Sequence, residues 1–389
     1  MAAWGALRWS ALLVLSVSAC SDASGPNDRI VAGVDLDELF APPTSAEVAA
    51  VRDAWSSRDV SAREVEIVAS DTVRVGFAAE ATVRVVAHTV GGVRHYGAVA
   101  APLGATPASL PLLVVGHGGD GGIDLDQALF LLGYGLSDAV DDFVLVVPAF
   151  RSEPLVFQGT RYQSGGDPSP WDRDVDDALA LLNAAIAITP EADSNRIGAL
   201  GLSRGGGVAL LMAIRDPRID AVVEFFGPTD FFGTFVQDVV EEALRGMPRN
   251  LPGLAYLDAQ FIQPLKRGEL TIQDVRPELI RRSPVYFADR LPQVQLHHGT
   301  ADSIVPVSQA QRLIEVMQQA NRQPPGFEYF LYPGGGHDPI TLVGSLERTV
   351  AFLRRTLGIL VSATRPQAPW YSGPFHSSFI HEDVLYIAA

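Results

Sequence analysis

Residues 196–215, RIGALGLSRGGGVALLMAIR, decide how this chain is read. Arg196–Leu202 is a strand-like run, and Gly205–Arg215 has helical periodicity. Between them stands Gly201-Leu-Ser203-Arg-Gly205-Gly206, a serine on a sharp strand-to-helix turn. Such a turn strains the backbone at the serine, and glycines on either side let neighbouring chain come close. The helix that follows points its positive end at any oxyanion forming there. Gly-x-Ser-x-Gly alone is common by chance, and a glycine-rich turn is the plain alternative. The strand before it and the helix after it favour a nucleophile.

The same rhythm extends in both directions. Ala81–His88 and Arg94–Ala100 form a β-pair around Gly91-Gly92, and Pro111–Val115 and Phe143–Val147 are short apolar runs of the buried parallel type. Asp174–Ile188 is helical. Strand-like runs recur at Ala221–Phe226, Gln293–His297 and Phe327–Tyr332, with helical patterns at Val307–Gln319 and Leu342–Leu357. This alternation predicts an α/β fold, a mainly parallel twisted sheet with helices on both faces. Residues 230–285 lack a strand-like run and read as a helical insertion, a lid over one end of the sheet. Its aromatics (Phe231, Phe232, Phe235, Tyr256, Phe261) either pack the insertion onto the sheet or line an acyl pocket.

Two further loops fall at the carboxyl edge of that sheet. Gly116-His117-Gly118-Gly119-Asp120-Gly121 follows a buried strand, and its consecutive glycines leave N–H groups free to converge as an oxyanion hole. Gly118 and Gly119 are the loop donors, and the backbone N–H of Arg204 is their partner. A phosphate-binding loop is set aside, because neither Gly-Lys-Ser/Thr nor Gly-x-Gly-x-x-Gly is present. Asp302, in HHGTADSIVP, and His337, in GGGHD, complete the order Ser203…Asp302…His337, the α/β-hydrolase order. His337 takes the serine proton and Asp302 orients the imidazole. Asp230 is the rival acid. Asp338 points elsewhere, and His297 and His298 are structural. Asp120, Asp124 and Asp126 lack the closing glutamate of a calcium loop, so no metal and no cofactor is expected.

Composition narrows the partners. The chain has 389 residues, 47% of them hydrophobic, and a formal charge of -16. That is enough for a large core, and it disfavours nucleic acid. Lys266 is the only lysine and Cys20 the only cysteine, which excludes an internal disulfide framework. Arg8, the short apolar stretch Ala11–Ala19 and Val17-Ser-Ala-Cys20 read as a bacterial lipoprotein signal with Cys20 lipidated; a plain secretory signal is the alternative. The expected organisation is a signal over 1–19, a flexible tether over 20–30, a lead-in over 31–75, a catalytic domain over 76–360 and an irregular tail over 361–389. The expected location is an exported lipoprotein, membrane-anchored through its lipid and facing the periplasm or cell surface.

The motifs together resemble the catalytic domain of the prolyl oligopeptidase family. They are Asp174-Val-Asp-Asp, Asn195–Gly206, Arg282-Ser-Pro284-Val, His298–Pro306 and Gly336-His337, within residues 80–358. The resemblance implies Ser203, Asp302 and His337 as triad and the Gly118 and Arg204 amides as oxyanion hole. It also implies that Phe150 or Arg151, in Pro148-Ala-Phe-Arg, lines the pocket, although a structural role fits them equally. Peptidases of that family carry a β-propeller before the domain. About 60 mature residues precede the sheet here, too few for even two blades at about 40 residues each. Many of those peptidases have an aromatic where Arg204 stands; an arginine there makes a surface ion pair or anchors a substrate carboxylate. The expected function is a serine hydrolase cleaving small-molecule esters or short peptides through an acyl-enzyme, with esterase favoured. A non-catalytic lipid-anchored binding protein on the same fold is the reading from a different class.

Overall fold

A computed structural model describes residues 29–77 and 79–360. The signal, Cys20 and the tail over 361–389 lie outside the described residues. Fourteen strands follow in chain order: β1 (Ile30–Val31), β2 (Val34–Asp35), β3 (Arg63–Val75), β4 (Ala79–Val90), β5 (Val93–Pro102), β6 (Leu110–Gly116), β7 (Ile123–Asp124), β8 (Val144–Pro148), β9 (Pro154–Phe157), β10 (Thr160–Gln163), β11 (Ala192–Leu202), β12 (Ile219–Phe225), β13 (Gln293–Gly299) and β14 (Phe327–Tyr332). Nine of them form one sheet in the order β14-β13-β12-β11-β6-β8-β5-β4-β3. From β14 to β8 every pairing is parallel, and β5, β4 and β3 add antiparallel strands at the other edge.

The central strands are apolar on both faces because both faces are covered. Leu112, Val114, Val144, Val146 and Ile197 belong to one buried cluster, with helices Arg173–Ile188 and Arg204–Arg215 above them. Leu113, Val115, Leu145, Val147 and Leu200 belong to the other, covered by helices Leu125–Leu136 and Ser345–Thr356. Adjacent residues of one strand thus serve opposite cores. All the parallel strands end at one edge, and that edge carries the loops of interest.

The expected domain boundaries need correction. The 75/76 boundary cuts through the sheet, since β3 is its edge strand and pairs with β4 in a register that includes Val73↔Ala81. Residues 29 and 30, expected to lie in the tether, belong to the fold. Ile30–Val31 pairs with Val34–Asp35, and the Arg29 guanidinium lies 2.9 Å from Gln237 and 2.8 Å from Glu241. A short hairpin, β9–β10, joins β7 in a three-stranded sheet that sequence periodicity did not reveal.

Between β12 and β13 the chain is helical, including Thr234–Leu244 and Ile272–Ile280. Arg276 ties it to the amino-terminal segment. Its guanidinium lies 2.6 Å from Glu47 and bonds the carbonyls of Glu38, Leu39 and Ala41 at 2.8–3.0 Å. Hydrogen bonding to Arg276 holds the Glu47 carboxyl down at about 2. Glu47 in turn closes the capping box of helix Ser45–Ser56 with Thr44. One buried guanidinium therefore fixes the insertion against the start of the fold.

Candidate active site

Ser203 ends β11 and begins helix Arg204–Arg215 with φ +54° and ψ −121°, a costly conformation for a residue with a side chain. Its neighbours tolerate the turn because they lack side chains. A Cβ on Gly201 would sit 2.0 Å from the Gly205 carbonyl oxygen, and one on Gly205 would sit 2.2 Å from that of Gly116. The Ser203 N–H donates to the Phe225 carbonyl at 2.9 Å, which locks the elbow onto β12.

Asp302 and His337, which are 35 residues apart, meet at this edge. His337 Nδ1 lies 2.7 Å from Asp302 Oδ2. The other oxygen, Oδ1, accepts the N–H groups of Ile304 and Val305 at 2.9 Å each, so the carboxylate is held on both sides. His337 Nε2 is buried and has no hydrogen-bond partner among the described residues. The imidazole packs on Phe226, ring centroids 4.3 Å apart. Phe226 itself has φ +42°, a second strained residue beside the elbow.

The rival residues lie elsewhere. Asp230 Oδ1 caps the Phe232 N–H at 2.8 Å and approaches Tyr286, while Asp338 caps Ile340 at 2.8 Å. His297 and His298 lie within β13; burial pushes His297 down to about 3, and His298 Nε2 donates to the Val305 carbonyl at 2.8 Å. Asp124 caps helix Leu125–Leu136, Asp126 accepts from Gln158, and Asp120 accepts from Gly253. Among the described residues no cluster of three or more His, Cys, Asp or Glu is arranged for a metal, and no helix is long and apolar enough to cross a membrane.

Gly118 and Gly119 border the elbow. Their amides and that of Arg204 find no protein acceptor among the described residues. The Arg204 side chain corrects the expectation of a surface ion pair or a substrate anchor. It is 1% exposed, with Nε and Nη2 on Asp174 at 2.9 and 3.0 Å and Nη1 on Glu153 at 2.5 Å and the Gly119 carbonyl at 3.0 Å. Burial opposes its charge, but Asp174 and Glu153 outweigh that and raise its pKa.

Phe150 and Arg151 need correction as well: neither lines the cavity that opens on Ser203. Phe150 is fully buried between His117, stacked at 4.3 Å, and the Arg204 guanidinium at 4.8 Å. Arg151 forms an ion pair with Asp177 at 2.6 Å, because that carboxylate, wholly buried, has to be neutralised.

The cavity beside Ser203 lies under the helical insertion. Phe231, Phe235, Val239, Leu254, Phe261 and Leu279 are among its walls. Phe232 instead packs on Phe40 and Tyr286, and Tyr256 stands behind Phe261. The one carboxylate on the wall, Glu278, is paired with Arg282 at 2.8 Å and Arg281 at 3.4 Å.

Sequence reasoning missed Glu224, which is fully buried beneath the elbow. Its Oε1 accepts the Gly227 N–H and its Oε2 has no partner. Burial pushes the carboxyl up to about 8, and the nearby Asp302 charge adds to the shift.

The profile of the prolyl oligopeptidase family matches residues 139–359, from just before β8 to just past helix Ser345–Thr356. The chain belongs to the prolyl oligopeptidase family. Its chemistry is that of a serine hydrolase on an α/β-hydrolase fold. Solved structures agree on the fold. Acetyl xylan esterase 1 from Thermoanaerobacterium sp. JW/SL YS485 superposes with a TM-score of 0.56 at 20% identity, over 83% of this chain and 99% of that one. Acetyl xylan esterase from Paenibacillus sp. R4 gives 0.51 at 17%, over 82% and 98%. Pyrococcus horikoshii acylaminoacyl peptidase gives 0.52 at 15%, over 78% of this chain and 44% of that one. No curated protein matches the chain. Among the described residues no β-propeller precedes the sheet of this family member.

Proposed function

We propose that this prolyl oligopeptidase family member is a carboxylesterase for esters with a small apolar acyl group. Ser203 is the nucleophile, His337 the general base and acid, and Asp302 the residue that fixes the imidazole. The amides of Gly118, Gly119 and Arg204 stabilise the oxyanion. Ser203 Oγ attacks the ester carbonyl while His337 Nε2 takes its proton. The tetrahedral intermediate expels the alcohol, which His337 protonates, and a water molecule hydrolyses the acyl-enzyme by the same route.

The observation that carries the ester reading is the wall of the cavity at Ser203. Aromatic and aliphatic side chains suit an acyl chain, and the one carboxylate there, Glu278, is already neutralised by two arginines. A peptide amine would find no free carboxylate on that wall. The test compares kcat/KM for a short-chain p-nitrophenyl ester with that for aminoacyl and dipeptidyl p-nitroanilides, with Ser203→Ala as blank. Ester turnover without anilide turnover is expected. Serine-dependent anilide cleavage at comparable efficiency would make the enzyme a peptidase, and labelled substrate binding without turnover would leave the non-catalytic reading.

The same proposal places the enzyme outside the cytoplasm as a lipoprotein, on the strength of Val17-Ser-Ala-Cys20. Radiolabelled palmitate should enter the wild type and not Cys20→Ser.

A further inference from the structure

Behind the oxyanion loop, on the side away from the cavity, lies a group of buried charges drawn from four distant stretches of chain. Asp174 is 0% exposed, Arg204 1%, His117 3% and Glu153 5%. Burying an ion pair gains little net stability, because desolvation offsets most of the attraction. Geometric definition is the better-supported reason to keep one. Every polar atom of the Arg204 guanidinium is committed. The Asp174 carboxylate receives two of its N–H groups as a fork, and Asp174 Oδ2 also accepts the Trp171 N–H at 3.0 Å. The remaining nitrogen bridges Glu153 and the Gly119 carbonyl.

His117 closes the circuit. Its Nδ1–H donates to the Gly118 carbonyl at 2.8 Å, which leaves Nε2 an acceptor. That nitrogen faces Glu153 Oε2 at 3.6 Å, and neither atom has another partner. Burial pushes the Glu153 carboxyl up and the His117 imidazole down to about 4.

The Gly118 carbonyl shares its peptide with the Gly119 N–H, so the bond from His117 fixes the plane of that donor; the Gly119 carbonyl shares its peptide with the Asp120 N–H, so the bond from Arg204 fixes the other side of Gly119. Arg204 touches both halves of the oxyanion site, since its amide is one donor and its side chain holds the carbonyl end of Gly119, whose N–H is another. We propose that the Arg204 side chain, anchored by Asp174 and Glu153, is the positioning residue of the oxyanion hole. The inference rests on the reading of Ser203 as nucleophile. It reassigns Arg204 from surface or substrate contact to catalytic geometry.

Removing one oxyanion donor outright costs about 10²–10³ in kcat, and loosening donors costs less. The test measures kcat and KM of wild type, Arg204→Lys and Glu153→Ala on a short-chain p-nitrophenyl ester. Rates are expressed per active site titrated with a fluorophosphonate, and thermal unfolding is followed in parallel. Lysine keeps the charge but loses the fork. Glu153→Ala keeps the Arg204–Asp174 pair and removes only the link toward Glu153, so it reports even if Arg204→Lys does not fold. The expected result is a fall in kcat per titrated site, about 10- to 100-fold for Arg204→Lys and about tenfold for Glu153→Ala. KM should stay within about threefold, because a transition-state contact is lost and a ground-state one is not. Unchanged kcat per titrated site in the folded variants, whatever happens to Tm, would reduce the cluster to a structural one and overturn the proposal. A wild type no faster than Ser203→Ala would instead overturn the nucleophile reading, and this inference with it.

Discussion

The two sides of the nucleophile elbow are built from opposite materials. In front of Ser203, under the helical insertion, the walls are Phe231, Phe235, Leu254 and similar side chains. Behind it, brought together from four separate stretches of chain, sit Arg204, Asp174, Glu153 and Glu224, all buried. On the proposed reading, an apolar front excludes water from the reacting carbonyl and strengthens every dipole aimed at it. A back of ionisable and polar groups supplies directional contacts that apolar packing cannot, and on the proposed reading it sets where those dipoles point. One residue, Arg204, belongs to both, its backbone at the front and its guanidinium behind.

The largest effect is expected at the seam. Ser203→Ala should lower kcat for a p-nitrophenyl ester by about 10⁵-fold or more, with Tm little changed, since one hydroxyl is lost. Residual activity within about a hundredfold of wild type would place the chemistry elsewhere. Asp302→Asn should cost about 10³–10⁴ in kcat, because the amide no longer fixes the His337 tautomer. A loss of less than tenfold would point to another acid.

The back of the elbow is tested by pH. The folded Glu224 carboxyl titrates at about 8 against an ordinary 4.5, so the folded state holds a proton that the unfolded chain gives up between those values. Its contribution is present below about pH 4.5 and is lost as pH rises toward 8, by an amount on the order of 4 kcal/mol. Glu224→Gln keeps the acceptor for Gly227 and cannot ionise, so denaturant titrations at pH 5 and 8 should show that loss shrink. An identical pH dependence in the two proteins would mean that Glu224 is already ionised in the fold.

The smallest effect belongs to the front. Val239→Phe narrows the cavity, and kcat/KM for a hexanoate ester should fall about tenfold relative to acetate. Equal effects on the two esters would show that the acyl chain lies elsewhere.

Much of this could be read from the amino-acid sequence, and the pattern of what could not is physical. Ser203, Asp302 and His337 each follow a strand and stand in a local run with glycine, so short windows single them out as candidates. The central strands announced themselves because burial on both faces makes them apolar throughout. The hairpin β9–β10 did not, since four-residue strands carry too little periodicity. β3 reads as polar within the lead-in because it is an edge strand whose one buried residue is Val75, so no apolar run marks it as part of the sheet. The destination of Arg204 was hidden for another reason: its partners lie 30 and 51 residues away, and charge in a sequence reads as surface by default.

The central claim is that Ser203 carries the acyl group. The most direct measurement is intact-protein and peptide mass spectrometry after rapid acid quench of the enzyme with a slowly deacylating p-nitrophenyl ester. The account predicts one added acyl mass per chain, mapped to the peptide containing Ser203 and absent from Ser203→Ala. Ester turnover in the wild type with no acyl adduct on that peptide, or an adduct that persists in Ser203→Ala, would contradict it.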